Sequence, residues 1–291
     1  MGGEPAGPPI GSHVDVAGLA SHGLAYADGI GAEAIQVFVS NPRAWSPPAE
    51  ETEAQALARR AAQAGLPVFV HAPYLVNLGS GDERTAGLSA ETIQLTLDRA
   101  ARIGARGVVM HAGSASGWDR ESALRQVPEL LLPLLDKLGE DDPALLIEPM
   151  AGAGSGLCAQ MSDLDPYLEA LGRHPRAGVC LDTCHAFAAG HDLTAPGGVD
   201  ATLAELALAA GPGRVRLVHA NDSGHPCGSR RDRHAALGAG FIGLEPFRAL
   251  LHHPLLAAAA FVVETPKAGQ AGDVAALKRL RQMPAQSPLP A

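Results

Sequence analysis

Six apolar runs in this chain each close on an imidazole or a carboxylate. V-F-V ends on His71, V-V-M on His111, L-L-I on Glu148, V-C-L on Asp182, R-L-V on His219 and F-V-V on Glu264. Two loops add to the set. In Asp182-Thr183-Cys184-His185 a histidine follows three residues past its run, and Asp232-Arg233-His234 sets an acid and an imidazole at i and i+2. Side chains spaced i, i+2 point to one side of an extended segment and can grip one ion. A single histidine or aspartate at such a position is commonly a cap or a hydrogen-bonded rim residue. Four carboxylates brought together with five imidazoles are different, because clustered buried acids repel and need cations to coexist. Nine nitrogen and oxygen donors exceed one tetrahedral ion and suit two or three ions sharing a bridging carboxylate. No cysteine belongs to the set. Its imidazole content favours Zn, Mn or Fe over Mg or Ca.

These residues converge only if the runs are parallel strands of one barrel. The apolar runs span Pro9–Val14, Ile35–Val39, Val68–His71, Gly107–His111, Ala144–Glu148, Gly178–Asp182, Val215–His219 and Ala259–Glu264. Most are apolar throughout, as strands covered on both faces are. Helical periodicity fills the intervals, most clearly at Glu50–Ala64, Ala86–Ile103, Glu121–Leu138, Asp163–Leu171, Asp200–Ala210, Leu244–Leu251 and Asp273–Gln282. Gly65, Gly104 and Gly139 read as helix stops. Eight strands alternating with helices predict an α/β fold, a single (β/α)8 barrel of the xylose-isomerase type, with the strand ends on the functional rim. A doubly wound sheet would show a glycine-rich turn after an early strand; Ala151–Gly156 is glycine-rich but follows the fifth run and reads as a loop. The expected organisation is a flexible tail over 1–8, the barrel over 9–283 and a proline-rich tail over 284–291.

Composition narrows the classes. The chain has 291 residues, 46% hydrophobic and 18% charged, enough for a large core. No apolar run approaches the roughly 20 residues that span a bilayer, and no secretory signal is read at the start. Four cysteines without a C-x-x-C pair exclude a disulfide scaffold and leave a cytoplasmic setting as the expectation. A net charge of −9 argues against a simple nucleic-acid binder, unless bound metal changes the local sum.

The whole chain from His13 to Leu280 resembles the endonuclease IV family of metal-dependent apurinic/apyrimidinic endonucleases. The resemblance rests on Tyr74-Leu75-Val76-Asn77-Leu78-Gly79, on V-C-L-D-T-C-H-A-F-A-A-G from Val179 to Gly190, and on G-S-R-R-D-R-H with L-G-x-G after it, from Gly228 to Gly240. It implies three metal ions, usually zinc, with manganese or iron at one or more sites. One ion would take His71, His111 and Glu148, a second Glu148, Asp182, His219 and Glu264, and a third His185, Asp232 and His234. It also implies a monomer that cuts double-stranded DNA 5′ to abasic sites in base excision repair, leaving a 3′-hydroxyl and a 5′-deoxyribose phosphate. Glu264 and Glu148 would orient or deprotonate the water. Arg43, Tyr74 and Leu75 match the side chains that the family inserts at the lesion. Arg230, Arg231 and Arg233 flank the third ligand group and give a basic rim for phosphate contacts.

The chain departs from the family's pattern in loops rather than ligands. Ala112 follows His111 where the family has proline, Ala153 and Gly224 stand where it has larger polar residues, and Ala235 follows His234 in place of a polar residue. Two other readings are a sugar isomerase or epimerase on the same barrel, which would use one or two metals and a Lys or His base, and a non-catalytic metal or damaged-DNA binder. Lys267, after the eighth run, is a poor barrel base, and no ligand is lost.

Overall fold

The computed structural model describes residues 7–14, 20–46 and 51–284. Apart from residues 7, 8 and 284, the two expected tails lie outside them. Barrel strands are β1 (Ile10–His13), β2 (Ile35–Val37), β3 (Val68–His71), β4 (Gly107–His111), β5 (Ala144–Glu148), β6 (Ala177–Asp182) and β7 (Val215–His219). A two-residue antiparallel pair, β8 (Asp222–Ser223) with β9 (His234–Ala235), stands above the rim, and β10 (Ala260–Val263) closes the barrel by pairing in parallel with both β7 and β1.

Helices α1 (Ala20–Gly29), α2 (Glu51–Ala64), α3 (Glu83–Arg102), α4 (Arg120–Leu135), α5 (Leu164–Ala170), α6 (Thr183–Ala189), α7 (Gly198–Ala210), α8 (Glu245–His252) and α9 (Lys267–Gln282) occupy the connections. Gly65 and Gly104 terminate α2 and α3 in the left-handed region, at φ 62° and 67°. Gly139 does not act as a stop: α4 already ends at Leu135, and the Gly139 amide donates to Asp142 in the following turn. The second strand is also shorter than its apolar run. The chain leaves the sheet at Phe38, whose ring packs against His13, His71 and Tyr74.

Strand periodicity is what positions the site. Phe69, Val109, Leu146, Cys180, Leu217 and Val262 form one buried cluster inside the barrel. Each lies two residues before His71, His111, Glu148, Asp182, His219 or Glu264. Side chains alternate with period two, so each polar residue continues an inward-facing row whose lower members are apolar. Register then aligns the tops: His111 pairs with Glu148 and Asp182 with His219. A second and larger apolar layer, including Ile10, Val70, Val108, Leu145, Ile147 and Leu181, lies between strands and helices.

Asp222 organises the rim after β7. Its buried carboxylate accepts the backbone N–H groups of Ser223 (2.7 Å), Gly238 (2.9 Å), Gly240 (3.1 Å), Ile242 (2.8 Å) and Gly243 (3.3 Å). The loop after His234 is therefore wound around one anion.

Candidate metal centre

Glu148, buried at the top of β5, lies at the middle of the cluster. Its Oε2 is 3.3 Å from His71 Nε2 and 3.6 Å from His111 Nε2, while its Oε1 is 3.1 Å from His219 Nδ1 and 3.3 Å from His185 Nδ1. The His71 Nδ1–H donates to the Ala72 carbonyl (2.6 Å), which turns Nε2 inward as the lone-pair nitrogen. The His185 ring is set the same way by the Pro149 carbonyl at 3.1 Å, so its Nε2 faces Asp232 Oδ2 at 3.3 Å. His234 Nε2 lies 3.2 Å from Asp232 Oδ1 and 3.6 Å from Asp182 Oδ2. Asp182 does two jobs: its Oδ1 caps α6 by accepting the His185 N–H at 2.8 Å, and its Oδ2 faces the cluster.

Three groups of donor atoms result, each with its atoms within 4.8 Å of one another: His71, His111 and Glu148; Glu148, Asp182, His219 and Glu264; and His185, Asp232 and His234. A fourth group of donor atoms equally close to one another is Asp182, Cys184 and His234. Cys184 lies on α6 with its thiol 3.7 Å from the Arg233 carbonyl, and burial pushes that thiol up to about 12, so it stays protonated. Glu264 differs from expectation. It follows β10 rather than ending it, because its N–H donates to the Asn221 side chain (2.8 Å) instead of to a neighbouring strand.

The electrostatics of these side chains by themselves is that of a site balanced by cations. Burial pushes Glu148 and Glu264 upward, but the charge of His219 and the surrounding imidazoles overbalances it and holds both carboxyls well below their usual range. Burial raises Asp182. Burial would lower His185, yet the charge of Asp182 and hydrogen bonds to Asp232 and Glu148 hold it well above its ordinary value. His234, which burial would lower, is raised to about 9 by the Asp232 carboxylate 3.2 Å away and the charge of Asp182. His111, where desolvation prevails, falls to about 4.

Two buried atoms of the cluster have no hydrogen-bond partner, Glu148 Oε2 and His234 Nε2. A buried carboxylate oxygen without a donor is costly. Both atoms face other donors at 3.2–3.6 Å. Two ligands at about 2.1 Å from one tetrahedral ion stand about 3.4 Å apart. The residues present thus fit divalent ions of the zinc type, and Glu148, with one oxygen toward each of two groups, fits a bridging carboxylate.

The rim carries the other residues singled out from sequence. Tyr74 is half exposed, its ring 5.6 Å from that of His71 and 6.0 Å from that of His111; burial and the site's carboxylates push its phenol up to about 12. Leu75 beside it is exposed. Arg43 is exposed on the loop after β2, where its N–H donates to Asn41, and the Tyr74 N–H ties the two loops together by donating to the Pro42 carbonyl. Arg230, Arg231 and Arg233 are exposed beside Asp232 and make no ion pair among the described residues.

A family model described as the xylose isomerase-like TIM barrel matches residues 24–283. The probable endonuclease 4 of Streptomyces coelicolor is 53% identical over 279 residues, which cover 94% of this chain and 95% of that protein. The chain belongs to the endonuclease IV family. The crystal structure of endonuclease IV from Thermus thermophilus superposes with a TM-score of 0.81 at 33% identity, covering 94% of this chain and 98% of that one. An L-ribulose 3-epimerase superposes with a TM-score of 0.68 at 16% identity, a likeness of fold alone. Lys267 is turned away from an epimerase-like role, its ammonium 4.8 Å above the Tyr26 ring on α1.

Sequence reasoning passed over three polar residues that the barrel places against the endonuclease IV-type cluster. His13 Nδ1 is 3.4 Å from Glu264 Oε1. Gln36 is buried and reaches both His219 and Glu264. Asn221 donates to Asp182 (2.8 Å) and Glu264 (3.3 Å). A signal for the first two was present: on β1 and β2, as on the other strands, the inward row ends in a polar residue.

Proposed function

We infer that the protein is a metal-dependent AP endonuclease that hydrolyses the phosphodiester bond 5′ to abasic sites in duplex DNA, leaving a 3′-hydroxyl and a 5′-deoxyribose phosphate. The observation that carries this is the buried cluster around the partnerless Glu148 Oε2, in a chain of this family. One ion would be held by His71, His111 and Glu148, one by Glu148, Asp182, His219 and Glu264, and one by His185, Asp232 and His234. The donors suit zinc first, with manganese or iron compatible at one or more positions. Bound there, the ions supply positive charge for the phosphate oxygens and acidify water.

The chain's own groups do the rest. Glu264, partly exposed at the mouth and ionised, orients the attacking water and takes its proton, with Glu148 behind it. Tyr74, whose ring lies beside His71 and His111, would enter the duplex at the lesion together with the exposed Leu75 next to it and with Arg43 on the adjoining loop. An abasic nucleotide has lost its stacking, so extruding it costs less than flipping an intact base. Arg230, Arg231 and Arg233, free of ion pairs among the described residues, hold phosphates. The protein is proposed to act as a monomer in the bacterial cytosol, as one barrel domain over 9–283. Among the described residues no helix is long and apolar enough to cross a membrane.

The test is incision of a duplex carrying one abasic analogue, with product ends mapped. Strong chelators should abolish cutting and zinc or manganese restore it. Glu264→Gln should keep DNA binding while lowering turnover by orders of magnitude, since an amide is a poor base and a weaker ligand. Undiminished cutting by metal-free protein would refute the reading.

A further inference from the structure

β2 contributes no acid or imidazole to the cluster, yet its inward residue at the top is a fully buried amide, Gln36. A buried amide is costly unless its hydrogen bonds are made, so an apolar residue would be the ordinary filling. The hydrogen bonds of this side chain all go to the site. Gln36 Oε1 is 2.8 Å from His219 Nε2, and Gln36 Nε2 is 2.7 Å from Glu264 Oε1 and 2.9 Å from His13 Nδ1.

The chemistry of these contacts allows one arrangement. An amide oxygen only accepts, so His219 Nε2 carries a hydrogen, and when the ring gives up its other proton to hold an ion the lone pair is on Nδ1. That nitrogen is the one facing Glu148 Oε1 (3.1 Å), Glu264 Oε2 (3.2 Å) and Asp182 Oδ2 (3.8 Å). The two amide hydrogens go to the ionised Glu264 and to the His13 lone pair. Turning the amide over would set its oxygen against a carboxylate and its NH2 against an N–H. With Oε1 of Glu264 engaged by Gln36, Oε2 is the oxygen left to face His219.

We propose that Gln36 is a positioning residue: it fixes the His219 tautomer and the Glu264 carboxylate so that Nδ1 of one and Oε2 of the other are presented together to the Glu148–Asp182 ion. The inference rests on the metal-holding reading of the cluster. Groups that orient a ligand in this way are typically worth about 10–100-fold in metal affinity.

The experiment uses the full-length, zinc-loaded protein, with elemental analysis after graded chelator and NMR of isotope-labelled histidine side chains. In the wild type, His219 should show a slowly exchanging Nε2–H and an unprotonated Nδ1. Gln36→Met, which keeps the volume, should lose that protected proton and release one ion at a chelator concentration about 10–100-fold lower. Gln36→Glu keeps an acceptor for His219 but sets a negative charge against Glu264. It should retain the Nε2–H signal while turnover at saturating DNA falls. A His219 protonated on Nδ1 in the loaded wild type would overturn the inference without any variant, as would Gln36→Met with wild-type chelator resistance and proton exchange. A wild type that binds no zinc would instead overturn the metal-dependent function itself.

Discussion

Asp222 offers a quantitative test of how the rim loop is held. Its two oxygens accept five backbone N–H groups: Ser223 and Ile242 on Oδ1, Gly238, Gly240 and Gly243 on Oδ2. The usual isosteric change is therefore not conservative here. Asp222→Asn sets an NH2 against three donors, or against two if it flips. Gly238 is exposed and Gly240 and Gly243 are partly so, and their amides can turn to water; Ser223 and Ile242 are buried and cannot. Each stranded buried donor costs about 1–3 kcal/mol, and hydrogen bonds to a charged acceptor are worth about 1.5–3 kcal/mol. Asp222→Ala strands both buried donors and should lose about 3–6 kcal/mol, whereas Asp222→Asn, whose oxygen can still accept from Ser223 and Ile242 while the glycine amides turn to water, should lose less, about 1–3 kcal/mol. The glycine spacing is part of the same device, because a Cβ on Gly240 would stand 2.4 Å from Asp222 Oδ1. Urea unfolding read by circular dichroism gives the loss, and amide hydrogen exchange locates it, with faster exchange expected at Gly238–Gly243 and unchanged protection at β3–β5. A loss below about 1 kcal/mol for Asp222→Ala, or loosening spread evenly over the barrel, would refute the reasoning.

Three further outcomes follow from the structure. Gly224→Lys meets the Arg233 carbonyl at 3.3 Å from its Cβ, a tight contact in which that loop must yield slightly, and should steepen the slope of log DNA affinity against log salt by about one; an unmoved slope would mean this loop never meets the DNA backbone. His234, raised to about 9, and His185, held above its ordinary value, must both be free of their protons to hold an ion, so zinc affinity of the His185–Asp232–His234 site should rise by at least about tenfold per pH unit between about pH 6 and 8, measured by competition with a chromophoric chelator. Glu33, which burial alone would raise, is lowered by Arg281 and Lys278 and by the Ile10 N–H, tying α9 to β1. Because its folded value is depressed, its contribution is present above the unfolded value of about 4.3 and lost as pH falls through the folded one. Glu33→Gln should accordingly cost about 1–2 kcal/mol at about pH 7 in urea unfolding and little near about pH 3.

What was legible in the sequence followed one rule, that an apolar inward row ending in a polar residue places that residue on the rim. It located His71, His111, Glu148, Asp182 and His219 together with their strands, because those runs are continuous and each is paired on both sides. It misplaced the end of the last strand because Glu264 bonds sideways to Asn221, a residue distant in sequence. Helix α6, expected to start near His185, could not be bounded because six of its seven residues, from Thr183 to Ala188, are buried, which erases amphipathic periodicity. The β8–β9 pair is two residues a side, too short to show a period of two. Gln36 shared the inward-row signal but carries neither an acid nor an imidazole, and Asn221 and Cys184 gave no spacing signal of their own. Their roles arise only when barrel closure brings β2, the loop after β7 and α6 against one another.

The most direct measurement of the central claim is the metal content of the purified protein by elemental analysis, taken alongside incision of an abasic duplex on the same preparation. Three donor groups, two of them sharing Glu148, predict about three ions per chain, with incision lost as the ions are stripped and regained as they return. One ion or fewer per chain in a preparation that cuts at full rate would contradict the account.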